Sequence, residues 1–177
     1  LAVAGSPRFS AAAQTSDIPP WLRAHVGTGE GQIAPVVLQR ARALHQAKSR
    51  EGAISNPCYF AMDATRPSSA GSGLGRRFFI ICEAERSFRA ISSGYGSGRT
   101  LRGLADFANG KECAKHFSNA EGSKLTTGGA YVTAETRTSF KGYYRPAGKF
   151  TPFSRSFLQF EGEGDTANAR EREIGGH

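Results

Sequence analysis

At 177 residues the chain is long enough to bury a core, and a single domain is the default expectation. Its composition of 38% hydrophobic residues with 22 glycines and 8 prolines argues against a compact all-helical protein and favours strands joined by turns. No stretch approaches the roughly 20 apolar residues that a membrane-spanning helix needs, so we predict no transmembrane segment. The net charge of +8 gives a general attraction to polyanions. The arginines are scattered and no nucleic-acid-binding signature accompanies them, so we predict no nucleic-acid partner.

The N-terminal residues 1–20 show little pattern and end in Ile18-Pro19-Pro20, a sequence that does not favour a helix. We predict a flexible leader there. Ala2-Val3-Ala4 has the small-x-small pattern of a signal-peptide cleavage site, so the leader is either a signal-peptide remnant or an unpatterned, disordered segment. We expect the packed region to begin at Trp21.

A helix is predicted next. Between residues 33 and 49 the apolar side chains recur at spacings of three and four, and charged or polar side chains take other positions. This spacing is typical of an amphipathic helix. Pro35 suits its first turn, and Gly52 ends it soon after the last apolar position. Residues 21–52 are therefore assigned to an N-terminal helical segment.

Beyond this helix the sequence takes the pattern of strands separated by glycine-rich turns. Residues 66–75 form a connection rich in proline, serine and glycine, and residues 101–116 are either a short helix or an inserted loop. The chain is thus predicted to be mainly β with one N-terminal helix. The predicted strands are residues 59–63, 77–81, 88–93, 130–134 and 157–160.

Three cysteines, Cys58, Cys82 and Cys113, are too few for a disulfide scaffold, and none has metal-ligand spacing. If Cys58 and Cys82 lie on neighbouring antiparallel strands, a disulfide can join them in an oxidising compartment and leave Cys113 unpaired. Three reduced, buried thiols are the alternative that the sequence leaves open. The histidines before the C-terminal residue are scattered, so we predict no metal site.

Four segments, in the same order along the chain, resemble the YkuD-like murein L,D-transpeptidases of Gram-negative envelopes. The most specific is residues 117–131, in which Phe-Ser-Asn, Gly-Ser-Lys and Gly-Ala-Tyr recur in the family's order. The others are residues 62–68, residues 77–98 and residues 157–177, the last with Asn-Ala-Arg-Glu-Arg at 168–172. The resemblance implies a mixed β-sandwich whose front part is residues 53–177, with the C-terminal part missing.

The chemistry that the resemblance implies is acyl transfer through a thiolate. In that family a catalytic His-Gly is followed by a Ser-x-Gly-Cys segment that supplies the nucleophile, and His177 falls where that histidine would be. The resemblance makes His177 the candidate base and assigns Ser123, Lys124 and Tyr131 to substrate binding. A thiolate forms an acyl-enzyme readily once a neighbouring imidazole takes its proton. No cofactor is implied.

The chain departs from the family's pattern in two places. Tyr95 stands in the glycine-rich loop where a histidine is common, and residues 136–155 form a longer and more basic segment than usual. Cys113 could act as a nucleophile with His116, since on a helix the two side chains would share a face. A half-buried cysteine beside a surface histidine is the commoner arrangement.

The resulting expectation is a periplasmic or secreted L,D-transpeptidase-like acyltransferase that acts on peptidoglycan stem peptides. Two alternatives stay open. One is a catalytically inactive relative that binds peptidoglycan. The other, weaker one is a basic nucleic-acid-binding module, which would be retained on DNA with strong salt dependence.

Overall fold

The structure, a computed structural model, describes residues 17–66, 75–98, 108–144, 148 and 151–176. The chain divides into two compact units. The first comprises Leu1–Gly96 and Asn109–Lys115, and the second comprises Ser97–Ala108 and His116–His177. Each unit contains one antiparallel three-stranded sheet, and the first also contains the main helix. The predicted mainly β architecture with one main helix is confirmed.

Helix α1 spans Pro35–Arg50 and follows a short 3-10 helix at Pro20–His25. Pro35 occupies the first turn, where its missing N–H costs nothing. At the other end Gly52 has a φ of 69°, and the N–H groups of Gly52 and Ala53 donate to the carbonyls of Ser49 and Lys48 at 3.1 and 3.0 Å. These two bonds form a Schellman motif, which explains why the helix ends there.

The first sheet consists of β1 (Cys58–Met62), β2 (Gly75–Cys82) and β3 (Ser87–Ser93) in that order. Alternate residues of β1 and β2 are buried, as expected for strands with one face on a core. Ile18 belongs to this core, three residues before the predicted start at Trp21, so part of the expected leader is packed. Residues 1–16 of that leader lie outside the described ranges. The core side chains are Ile18, Leu22, Ile33, Leu38, Tyr59, Ala61, Phe79 and Ile81.

A polar cluster joins α1 to this sheet. Glu83, just after β2, accepts hydrogen bonds from the Arg42 Nε and the Tyr59 hydroxyl, both at 2.7 Å. Next to it, Cys58 and Cys82 face one another across β1 and β2 and are joined by a disulfide, with their Cα atoms 4.2 Å apart. We refer to Arg42, Glu83 and Tyr59 as the helix latch.

The second sheet consists of β4 (Tyr131–Tyr144), β5 (Thr151–Gly162) and the two-residue β6 (Gly175–Gly176). The predicted strands at 130–134 and 157–160 are thus parts of one long hairpin, and the basic segment at 136–155 supplies most of its outer half. β6 pairs with Leu158 and Gln159 of β5. A 3-10 helix at Gly164–Thr166 follows β5.

Thr166 connects this 3-10 helix to the start of β4. Its hydroxyl accepts a hydrogen bond from the Glu163 N–H at 2.8 Å and lies 2.6 Å from the Ala130 carbonyl oxygen, to which it donates. Gly162 lies so close that a Cβ on it would be 1.7 Å from the Thr166 carbonyl oxygen. Only glycine fits there, so the turn from β5 toward residues 168–172 depends on its missing side chain.

Candidate functional site

The candidate site lies in the second unit, where the loop of residues 118–127 meets the turn of residues 168–172. We call these residues the cradle loop and the arginine turn. Both belong to segments that carry the family resemblance. The cradle loop contains Ser123 and Lys124, and Tyr131 begins β4 just after it.

Arg172 fastens the arginine turn to the cradle loop. One guanidinium nitrogen, Nη1, donates to the Thr127 hydroxyl at 2.5 Å and to the Ser118 carbonyl at 3.1 Å. The other, Nη2, donates to the Leu125 carbonyl at 2.6 Å and lies 3.4 Å from the Ser123 hydroxyl. The guanidinium group is planar and carries its N–H donors in fixed directions, so one side chain can bind acceptors at both ends of the cradle loop.

Asn168 adds a second connection between the same two segments. Its side-chain nitrogen donates to the Asn119 carbonyl at 3.0 Å. Its side-chain oxygen is buried and has no hydrogen-bond partner among the residues that the structure describes. Because a buried, unpaired acceptor is costly, Asn168 is held there by its surroundings rather than by complete pairing of its own amide.

The cradle loop is also closed by bonds of its own. The Ser118 N–H donates to the Thr126 carbonyl at 3.2 Å, and the Leu125 N–H donates to the Ser123 hydroxyl at 3.3 Å. Lys124 has a φ of 56°, in the left-handed region, and its carbonyl accepts a hydrogen bond from the Gly98 N–H at 2.9 Å. A non-glycine residue in this region is strained, so the surrounding bonds fix the backbone at Lys124.

Tyr131 is half-buried beside the loop. Its hydroxyl donates to the Thr127 carbonyl at 2.8 Å, and its ring is tilted against Phe160 with the centroids 6.2 Å apart. Burial raises the pKa of the Tyr131 hydroxyl, although its hydrogen bond with Thr127 and the charge of Arg172 oppose this. The hydroxyl therefore stays protonated at neutral pH and acts as a donor.

The remaining predicted site residue, His177, lies outside the described residues. The described chain leads toward it through β6, whose Gly175 and Gly176 pair with Gln159 and Leu158 of β5. The second unit contains the arginine turn, which precedes β6, together with Ser123, Lys124 and Tyr131.

The cysteines lie in the first unit. Cys58 and Cys82 form the disulfide, and Cys113 is a free, partly exposed thiol. Residues 113–116 are not helical, so the shared helical face that would pair Cys113 with His116 does not form. The described part of the predicted segment 101–116 is a loop, and its residues 101–107 lie outside the described ranges.

Tyr95 has a structural environment in the first unit. Its hydroxyl donates to the Gly110 carbonyl at 2.6 Å, and its ring centroid lies 4.9 Å from the guanidinium carbon of the buried Arg77. Arg77 in turn donates to the Glu112 carbonyl at 2.8 Å. Tyr95 therefore helps to hold residues 109–115 against β2.

Within the ranges that the structure describes, no group of three or more histidine, cysteine, aspartate or glutamate side chains is arranged to hold a metal ion. None of the helices in those ranges has the length and apolarity that a membrane span requires. The predictions about cofactors and nucleic acid stay predictions.

Sequence reasoning missed the roles of Arg172, Asn168 and Thr127. The motif at 168–172 was visible, but nothing local shows that Arg172 binds residues 45 to 54 positions away. The only available signal was that two segments of the same family resemblance contain both partners.

Comparison of the chain with models of known protein families, with curated protein sequences and with solved structures found no match. Membership of the L,D-transpeptidase family therefore stays a prediction from the motifs.

Proposed function

We propose that the protein is an L,D-transpeptidase-like cysteine acyltransferase that acts on the stem peptides of peptidoglycan, with the mixed β-sandwich of that family. The observation that supports this most is the contact between the cradle loop and the arginine turn. These two segments carry much of the family resemblance, and Arg172 and Asn168 bind one to the other. A contact between these two segments is what we expect if both belong to one site.

The proposed reaction needs a cysteine thiolate that attacks a carbonyl next to a D-amino acid. His177 would take the thiol proton and later return it to the leaving amine, while the acyl group stays on sulfur until an acceptor amine removes it. The family's Ser-x-Gly-Cys segment does not occur in residues 1–177. Besides His177, the residues of this chain would bind and orient the stem peptide, with Ser123, Lys124 and Tyr131 as its polar contacts.

A catalytically inactive, peptidoglycan-binding protein is the second candidate. This candidate needs no nucleophile, which agrees with residues 1–177, where Cys58 and Cys82 are joined in a disulfide and cannot act as nucleophiles. Cys113 is the remaining thiol, and its segment does not form the helix that would align it with His116. Both candidates use the same cradle loop to hold a stem peptide.

We propose a periplasmic or secreted location for either function. Disulfides persist in oxidising compartments, and the Cys58–Cys82 bond is compatible with that. A net charge of +8 also suits a protein that faces an anionic cell wall.

The deciding experiment is a covalent-labelling assay on the full-length gene product. The protein that the whole gene encodes is incubated with a carbapenem and its intact mass is measured. For the enzyme we expect a covalent adduct on the cysteine of a Ser-x-Gly-Cys segment, and no adduct after that cysteine is changed to serine.

Retention on isolated peptidoglycan sacculi separates the two candidates. Retention without an adduct favours the binding protein. Neither retention nor adduct contradicts both, and strongly salt-dependent retention on DNA would then favour the nucleic-acid module. Residues 1–177 alone should form no adduct, so a stable adduct on Cys113 would contradict the proposed roles of the cysteines.

A further inference from the structure

Arg172 has an unusual set of partners for a half-buried arginine. The acceptors that it contacts are carbonyls, hydroxyls and an amide oxygen, all of them neutral. Arg170, two residues earlier, contacts the carboxylates of Glu135 and Glu161 instead. The charge of Arg172 is thus held in place but not neutralised.

The carboxylates nearest in sequence do not neutralise this charge. Glu121, Glu171 and Glu173 are exposed, and in the described part of the chain none of them is within ion-pair distance of Arg172 or Lys124. A partly desolvated positive charge without a counter-ion favours the approach of an anion.

Ser123 supplies a directed donor at the same place. Its hydroxyl oxygen accepts from the Leu125 N–H at 3.3 Å and from Arg172 Nη2 at 3.4 Å. A hydroxyl has two acceptor positions and one proton, so these two bonds occupy its acceptor side. Its own proton has no acceptor among the described residues and is left to donate to a ligand.

Lys124 adds a second positive charge. It is exposed and lies between Ser123 and Leu125, the two residues that Arg172 Nη2 contacts. Its backbone is in the left-handed region, and its carbonyl accepts a hydrogen bond from the Gly98 N–H. The strained backbone therefore presents a lysine at a fixed point of the loop.

We propose that Ser123, Lys124 and Arg172 form a subsite for the carboxylate of a peptide. Ser123 donates its hydroxyl proton, Lys124 forms an ion pair, and Arg172 contributes its uncompensated charge. This inference rests on the proposed function in one respect: the natural ligand would be the free carboxylate at the end of a stem peptide, whose position sets which bond is presented for acyl transfer.

The test is an NMR titration of the ¹⁵N-labelled full chain, followed at the amides of residues 118–131. The probes are a stem tetrapeptide with a free terminal carboxylate, its terminal amide, and N-acetyl-Ala-Ala as acid and as amide. We expect each acid to bind about tenfold more tightly than its amide, as a charge-assisted contact requires. Equal binding of acid and amide in both pairs, or no binding of any probe, overturns the subsite.

Charge variants locate the effect. Lys124→Gln should weaken binding of the acids about fivefold and leave binding of the amides unchanged, whereas Lys124→Arg should retain both. Lys115→Gln, which removes an exposed lysine of the first unit, is the matched control and should change neither. If Lys115→Gln weakens binding of the acids as much as Lys124→Gln does, the attraction is a general effect of positive charge and the subsite is wrong.

The two peptide pairs keep this inference separate from the proposed function. If N-acetyl-Ala-Ala binds through its carboxylate and neither stem tetrapeptide binds, the subsite stands and the assignment to stem peptides fails. If both stem tetrapeptides bind with equal affinity and N-acetyl-Ala-Ala also binds no better as the acid than as the amide, stem-peptide binding stands and the carboxylate subsite fails.

Discussion

Arg42 in the first unit and Arg172 in the second each fasten two segments together, but they do so with opposite chemistry. Arg42 joins α1 to the end of β2 through the carboxylate of Glu83, so one charge cancels another. Arg172 joins the arginine turn to the cradle loop through neutral acceptors only. The comparison separates a charge that is neutralised within the fold from one that contacts only neutral acceptors among the described residues.

The two units also differ in what makes them rigid. The first is closed by a disulfide and by the helix latch, whereas the second depends on hydrogen bonds and on close backbone approaches that require glycine. Variants that affect one unit and spare the other test this difference.

The largest effect is expected from Gly162→Ala. Its Cβ would lie 1.7 Å from the Thr166 carbonyl oxygen, and Thr166 cannot move away without losing its bond to Ala130. We expect a loss of about 3 kcal/mol or more in the free energy of unfolding of the second unit. Hydrogen exchange of the two units in denaturant measures this loss unit by unit.

Gly128→Ala is the matched control, because an added Cβ there would meet nothing within 4 Å. It should change the stability by no more than about 0.5 kcal/mol. If the two alanine variants prove equally stable, the close approach of Gly162 to Thr166 is not what shapes the turn.

The next largest effect is expected from removing the disulfide. Replacing Cys58 and Cys82 together by alanine releases a loop with a sequence separation of 24 residues, and loop-closure entropy predicts a loss of about 3 kcal/mol. The loss should be confined to the first unit, as measured by hydrogen exchange. Cys113→Ala should leave the stability of both units within about 1 kcal/mol, and equal losses for the two variants would contradict a stabilising bond.

The regular elements of the first unit were predictable because their signals are local. The three- and four-residue spacing, Pro35 and Gly52 placed α1 within two residues of its observed ends. The Cys58–Cys82 disulfide was one of two alternatives that the sequence left open, and it needed only two neighbouring antiparallel strands. The packing of Ile18 was missed, since Pro19 and Pro20 disfavour a regular helix but do not exclude burial.

The second unit was less predictable because its signals are non-local. The outer half of the β4–β5 hairpin is polar and basic, so no apolar alternation marks it, and β6 is two glycines without side chains. The motif at 117–131 pointed to Ser123, Lys124 and Tyr131. It gave no sign that Arg172 holds the loop, because no local pattern links residues so far apart.

A third prediction contrasts two neighbouring arginines. Arg172→Lys keeps the charge but loses the planar fork, so the Ser118 and Leu125 amides should exchange about tenfold to a hundredfold faster. This corresponds to the roughly 1.5–3 kcal/mol that hydrogen bonds to a charged group contribute to stability. Arg170→Lys should have a smaller effect, because its ion pairs with Glu135 and Glu161 are exposed to solvent and screened by it. The reverse order would mean that the cradle loop does not depend on Arg172.

The smallest expected effect is a loss of stability in acid. It should appear at the helix latch of the first unit and not at the cradle loop of the second. Burial alone would raise the pKa of Glu83, but the hydrogen bonds from Arg42 and Tyr59 outweigh it and hold the pKa below its ordinary value of 4.5. The folded carboxylate therefore keeps its charge at a lower pH than the unfolded one does. Its contribution to stability is present above pH 4.5 and is lost as the pH falls through the folded pKa.

The measurement is hydrogen exchange between pH 5 and pH 3 in the wild type and in Glu83→Gln. Amides of α1 and β2 should lose about 1 kcal/mol of protection in the wild type over this range, and Glu83→Gln should lack that loss because it has no carboxylate to protonate. The cradle loop should not share this acid step, since Arg172 contacts no titratable group among the described residues. An acid step of equal size at the amides of the cradle loop, persisting when Glu135 and Glu161 are changed to glutamine, would mean that a carboxylate also compensates Arg172, and the contrast between the two arginines would be lost.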